Sequence, residues 1–370
     1  MRALRGAADT AIIECLSMKA GERLLIVSNP GTEQEVIAKA LEAAAASKGI
    51  RTTLLLQPVK SQSEFAEDFV LDAIAAKPDA LVSLSTEKLG KDGYSIASPL
   101  QAPDGRIYDH IFNYLLHGTK EMRAFWSPGA TIDMFSRTVA IDYALMRIRA
   151  RNLAAILDEA IGIQVSAPAG TDIFIGVEGR KAYIDDGDFG KPGAGGNLPA
   201  GEVFMSPTVR TAEGTIVFDG SIADIAGDIV IETPISCAVS GGFVLGCEGG
   251  TEAARLEAAL RKGMDMASVL VGKGGMSPED ALRYATNARH IGELGIGLNT
   301  EARITGRMLE DEKAYGTCHF AIGYNYDEDA PAMIHLDGLV KQPTITALLA
   351  GGTEIVLMRQ GILQDFQASR

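Results

Sequence analysis

The chain has 370 residues, 46% of them apolar, with a mean hydropathy of +0.10 and a formal net charge of −14. That length buries an ordinary core and favours two domains over one. So acidic a surface repels phosphate backbones, which argues against nucleic acid as a partner, and no apolar run approaches the roughly 20 residues that span a bilayer. The four cysteines (Cys15, Cys237, Cys247 and Cys318) form no C-x-x-C pair, which leaves a Cys-type zinc finger unsupported and reads as buried thiols of a reducing compartment.

The N-terminal stretch carries an apolar helical stripe over residues 2–18. Acidic residues interrupt it and no small-residue cleavage site follows, so it reads as a surface helix and the protein is expected in the cytoplasm. "RLLIVS" (23–28) has the unbroken apolar character of a buried parallel strand. Thr32 followed three residues later by Glu35 fits a capping box that opens a helix, and Gly49 closes it. "RTTLLLQ" gives the next strand, residues 62–76 a second helix, and "DALVSLS" (79–85) a third strand. This alternation predicts a Rossmann-like, doubly wound α/β domain. The first turn lacks G-x-G-x-x-G and no P-loop occurs, so no dinucleotide or nucleoside triphosphate is expected there; the domain reads as structural or oligomerising.

A helical stretch near 135–162 reads as a bridge between domains. Gly-rich β segments follow, then two helices near 251–263 and 277–288, then further strands. The expected division is therefore residues 1–160, the α/β domain with its bridging helix, and residues 161–370. The latter reads as an α+β metal-binding catalytic domain with an antiparallel sheet or partial barrel.

Four segments of that second domain bring metal-competent side chains into apolar or Gly-rich settings. They are "NLPAGEVF" with Glu202, "HIGELGIG" with His290 and Glu293, "GTCHFAIGYNY" with His319, Tyr324 and Tyr326, and "IHLDG" with His335 and Asp337. Singly each is weak: a lone histidine in an apolar run is more often a hydrogen-bonded core residue. His335 and Asp337, two apart on a strand, share a face. Jointly the segments say more, because several carboxylates buried together need a cation. Carboxylates with imidazoles and no thiolate suit Zn, Co, Mn or Fe. Two histidines with three carboxylates serve two adjacent metals if one carboxylate bridges.

These segments, in this order, resemble the M29 metallo-aminopeptidases, the thermophilic aminopeptidase or aminopeptidase T group, as a compact branch in which His335 follows His319 at an interval of only 16 residues. The resemblance implies Glu202, Glu293, His319, His335 and Asp337 as ligands of two divalent ions (Zn or Co, or else Mn). It selects Tyr326, seven residues after His319, over Tyr324 as the catalytic tyrosine, with Glu293 or another acid carrying a proton. The implied activity is release of N-terminal residues from short peptides by a metal-activated water, in a homodimer. His290 is then structural, as are His110 and His117. The same fold also resembles the iron-dependent, ring-cleaving 2,5-dihydroxypyridine dioxygenases. There His319, His335 and Asp337 would form a 2-His-1-carboxylate site for Fe(II) and a small-molecule substrate, although this chain has Glu293 where those enzymes carry a histidine.

Overall fold

The computed structural model describes residues 2–225, 227–272 and 275–365. Its chain divides into two compact units. One runs to Tyr143 and includes Asp185–Ala200; the other comprises Ala144–Ile184 and the chain from Gly201 onward. This differs from a single cut at residue 160. The Gly-rich stretch after Ile184 supplies a short strand, Gly195–Asn197, that pairs in parallel with Arg123–Trp126 and so returns to the first unit's sheet. Most of the helix Tyr143–Leu157, expected as part of the first domain, belongs to the second unit.

The first unit is built on five parallel strands: Arg23–Ser28, Arg51–Leu56, Ala80–Leu84, Arg123–Trp126 and Gly195–Asn197. Their spatial order is second, first, third, fourth, fifth. That is the flavodoxin-type winding, not the dinucleotide-binding order, in keeping with the missing glycine fingerprint. Leu25, Val27, Leu81 and Ala124 pack against Val70, Ile74, Leu115 and Leu116. The helix Glu33–Ser47 buries Ile37, Ala38 and Leu41. Its start is capped reciprocally: Thr32 Oγ1 accepts from Glu35 N–H at 3.3 Å, and Glu35 Oε2 accepts from Gly31 N–H at 2.7 Å. The N-terminal helix is shorter than its apolar stripe, running Arg2–Thr10 before a wider π turn, Ala11–Cys15.

The second unit carries two antiparallel sheets. The eight-stranded one has Ala160–Ser166 and Asp172–Gly176 near its centre. The seven-stranded one holds, as consecutive neighbours, Glu202–Met205, Ile291–Gly297, Thr317–Gly323 and His335–Lys341. The last two helices of the chain expected from sequence are Thr251–Gly272 and Pro278–Asn287. No helix among the described residues is long and apolar enough to cross a membrane.

Candidate metal centre

The four neighbouring strands carry all five expected ligands, and their register explains why the side chains meet. Directly paired residues in a sheet point to one face, as do residues two apart. Glu202 pairs with Gly297, Gly295 with His319, and Glu293 with Ala321, which in turn pairs with Asp337; Gly323 pairs with His335. One face therefore presents Glu202, Glu293, His319, His335 and Asp337, interleaved with Gly295, Gly297, Ala321 and Gly323. The small residues make room for the large ones to lie across the sheet. A Cβ at Gly295 would come within 2.0 Å of His319 Nε2. Cys318 alternates to the opposite face of its strand, where burial pushes its thiol far up.

Glu293 is the centre of this arrangement. Its Oε1 lies 3.0 Å from His319 Nε2, and its Oε2 lies 3.4 Å from His335 Nε2. Glu202 Oε2 approaches His319 Nε2 at 3.5 Å, and Asp337 Oδ1 approaches His335 Nε2 at 3.3 Å. Two sets of three ligand atoms, each within 4.8 Å of one another, share Glu293: Glu202, Glu293 and His319, and Glu293, His335 and Asp337. Among the described residues no such set joins both imidazoles to one carboxylate. His335 Nδ1 donates to the Tyr324 carbonyl at 2.8 Å, which fixes the tautomer and turns Nε2 toward the carboxylates.

The electrostatics are those of a buried cluster of carboxylates and imidazoles. Burial pushes Glu202 up to about 8, although Lys313 opposes the shift. Burial also works against charge on His319, yet the hydrogen bond to Glu293 and the charge of Glu202 bring it up to about 9. His335 lies well above its ordinary value: burial is outweighed by Asp337, which is itself held near 2 by the imidazolium despite burial. Glu293, fully enclosed, is kept low by its two histidines. Glu202 Oε2 is buried without a hydrogen-bond partner. A set of two imidazoles and three carboxylates, protonated where it must be and with an unsatisfied oxygen facing inward, fits one or two borderline divalent ions.

Two residues of the site were not singled out in the sequence. Lys313, 1% exposed, bonds through Nζ to Glu202 Oε1 and to Glu312 Oε1, the latter at 2.8 Å. Glu312 is pushed up by burial. Both come from "LEDEK", whose run of charge resembles a solvated helix end. The other acids there are buried fasteners: Asp311 accepts from the N–H groups of Thr305 and Gly306, and Glu310 from that of Arg303. Tyr326 stands beside the ligands, its ring 5.4 Å from that of His335 and 5.0 Å from that of Phe204, which stacks on Tyr183 at 5.2 Å. Burial and the carboxylates, Glu293 foremost, push its hydroxyl up. His290 lies outside both ligand sets: it is buried against Phe243 and drawn down to about 4 by that burial. In the first unit, His110 is bound to the backbone at Gly90 and Phe112.

Fold and site together define a metal-binding enzyme with an α/β unit and an antiparallel-sheet unit that carries the centre. A family model described as NicX, 2,5-dihydroxypyridine 5,6-dioxygenase, matches residues 130–337, more than half of the chain. The chain belongs to that family. Among solved structures it is similar to 2,5-dihydroxypyridine dioxygenase from Pseudomonas putida KT2440, at a TM-score of 0.69 and 16% identity, covering 99% of this chain and 98% of that one. It is also similar to wild-type AmpT from Thermus thermophilus, at a TM-score of 0.64 and 17% identity, covering 98% and 99%. At these identities the likeness is one of fold, and it is shared by both relatives of this build. No curated protein matches the chain in sequence.

Proposed function

We propose that the protein is a metal-dependent hydrolase with a two-metal centre, acting on the N-terminal bond of short peptides. The observation that carries this reading is the Glu293 carboxylate, whose two oxygens each face a different imidazole and which belongs to both candidate ligand sets. A carboxylate so placed suits the role of a bridging ligand. Glu202, Glu293 and His319 would hold one ion, and Glu293, His335 and Asp337 the other. When bound, a pair of divalent ions supplies an activated water and polarises the carbonyl under attack. The chain's own groups do the rest. Tyr326 O–H, pushed up and therefore protonated, donates to the developing oxyanion. Tyr324 holds His335 in one tautomer through its carbonyl. Lys313 holds Glu202 Oε1 and opposes the effect of burial on that carboxyl. With both Glu293 oxygens engaged, another acid, such as the half-buried Glu312 outside both ligand sets, would carry the proton to the leaving amine.

A second reading is the one the comparisons favour. Family membership and the dihydroxypyridine dioxygenase fold both favour a ring-cleaving enzyme with one Fe(II), and the rings of Tyr183, Phe204, Tyr324 and Tyr326 beside His335 offer flat contacts to an aromatic substrate. That reading requires both imidazoles, with Asp337, on one ion. One experiment separates the two. The protein is loaded with Zn, Co or Mn and assayed on aminoacyl anilides. It is then loaded anaerobically with Fe(II) and assayed for O2 uptake with 2,5-dihydroxypyridine. Anilide hydrolysis that is lost with chelator supports the hydrolase. O2 uptake with ring opening, and no hydrolysis with any metal, overturns it.

A further inference from the structure

Cys237 and Cys247 stand directly opposite one another on the hairpin formed by Ile235–Ser240 and Phe243–Glu248, with their Sγ atoms 3.0 Å apart. Both are free thiols. A disulfide needs the sulfurs at about 2.05 Å, so a small side-chain rotation on a fixed backbone joins them. The pair is asymmetric: Cys237 is fully buried, whereas Cys247 is partly exposed. Cys15 and Cys318 are each buried in other elements.

We propose that Cys237 and Cys247 form a reversible oxidation site that reacts with low-molecular-weight disulfides, entered at Cys247 and resolved by Cys237. The Cys247 thiolate attacks one sulfur of the small disulfide, forms a mixed disulfide and expels one thiolate. Cys237, losing its proton, attacks the Cys247 sulfur and expels the second. Two electrons pass from the protein dithiol to the small disulfide, and the two protons end on the two released thiols.

The staple has a defined reach. The N–H of Cys247 donates to Glu257 Oε1 at 3.0 Å, and Glu257 pairs with Arg289. At the hairpin tip, Val244 N–H donates to the Arg289 carbonyl at 2.8 Å, and Ile291 N–H donates to the Gly242 carbonyl at 2.9 Å. Ile291 begins the strand that carries Glu293. Closing the disulfide therefore fastens the hairpin from which the start of that strand hangs.

The test uses the full chain, titrated with oxidised glutathione and read by intact mass, thiol counting and non-reducing peptide mapping. The expected result is a loss of about 2 Da and of two of the four thiols, a Cys237–Cys247 linked peptide, full reversal by dithiothreitol, and slower amide exchange at Val244 and Ile291. Cys247→Ser, at a partly exposed position, should abolish the mass loss. Retention of four thiols at full excess of oxidised glutathione overturns the proposal. So does a linkage involving Cys15 or Cys318, or a mixed disulfide that persists on Cys247.

Discussion

At position 295 the missing side chain is a requirement of the site. Gly295 faces His319 across the strand pair, and any Cβ there collides with the ring that reaches Glu293. Gly295→Ala should leave the fold intact at a cost of about 1–3 kcal/mol from overpacking. It should lower metal affinity about 10–100-fold by turning the imidazole away; isothermal titration against the wild type measures this. Lys313 makes the complementary case. Lys313→Met removes the ammonium but leaves Glu202 buried, so the metal-free protein should lose about 3–5 kcal/mol in urea denaturation. A divalent ion on Glu202 should recover part of that loss, and equal losses with and without metal would contradict the assignment. Tyr326→Phe should reduce hydrolysis about 10²-fold with metal content unchanged. The five candidate ligands that the four strands bring to one face come from the family resemblance, since each segment is weak singly. Lys313 and Glu312 were not legible in the sequence, because a burst of charge at a helix end reads as solvated until the strands are seen to close over it.

At the scale of elements, local signals were reliable where the chemistry is local. The Thr32–Glu35 cap, the strand at 23–28 and the same-face geometry of His335 and Asp337 follow from spacing alone. Thr32→Ala should cost about 1 kcal/mol in thermal or urea unfolding, since Glu35 N–H loses its acceptor. Pairing between distant segments was not legible. Gly195–Asn197 has no apolar alternation and becomes a strand only because Arg123–Trp126 offers it an edge, which is why the division of the chain departs from residue 160. The order of the parallel strands is likewise a long-range fact. The absent glycine fingerprint gave no reason to expect a dinucleotide and did not reveal which winding the strands adopt. The opposition of Cys237 to Cys247 is register as well, and no spacing rule finds it.

For the molecule as a whole, the site is a reservoir of pH-dependent stability. Glu202 and His319 both have raised proton affinity in the folded protein, near 8 and near 9. Such groups stabilise the fold below their unfolded values and lose that contribution as pH rises through the folded ones. Asp337, held near 2, and Glu293, also held low, act oppositely and lose their contribution in acid. The metal-free protein should therefore lose melting temperature between about pH 7 and pH 9, and the metal-loaded protein should not, because the ions replace the protons. Loading near pH 7 should release protons, seen as a heat of binding that varies with the buffer's ionisation enthalpy. The central claim is that Glu293 joins two cation sites, and metal stoichiometry tests it most directly. Zinc titration with mass-spectrometric counting should give two ions per chain in the wild type and one in Glu202→Gln, where the Glu202–Glu293–His319 set is broken and the Glu293–His335–Asp337 set is intact. A single ion in the wild type, bound by both imidazoles and unaffected by Glu202→Gln, would contradict the account.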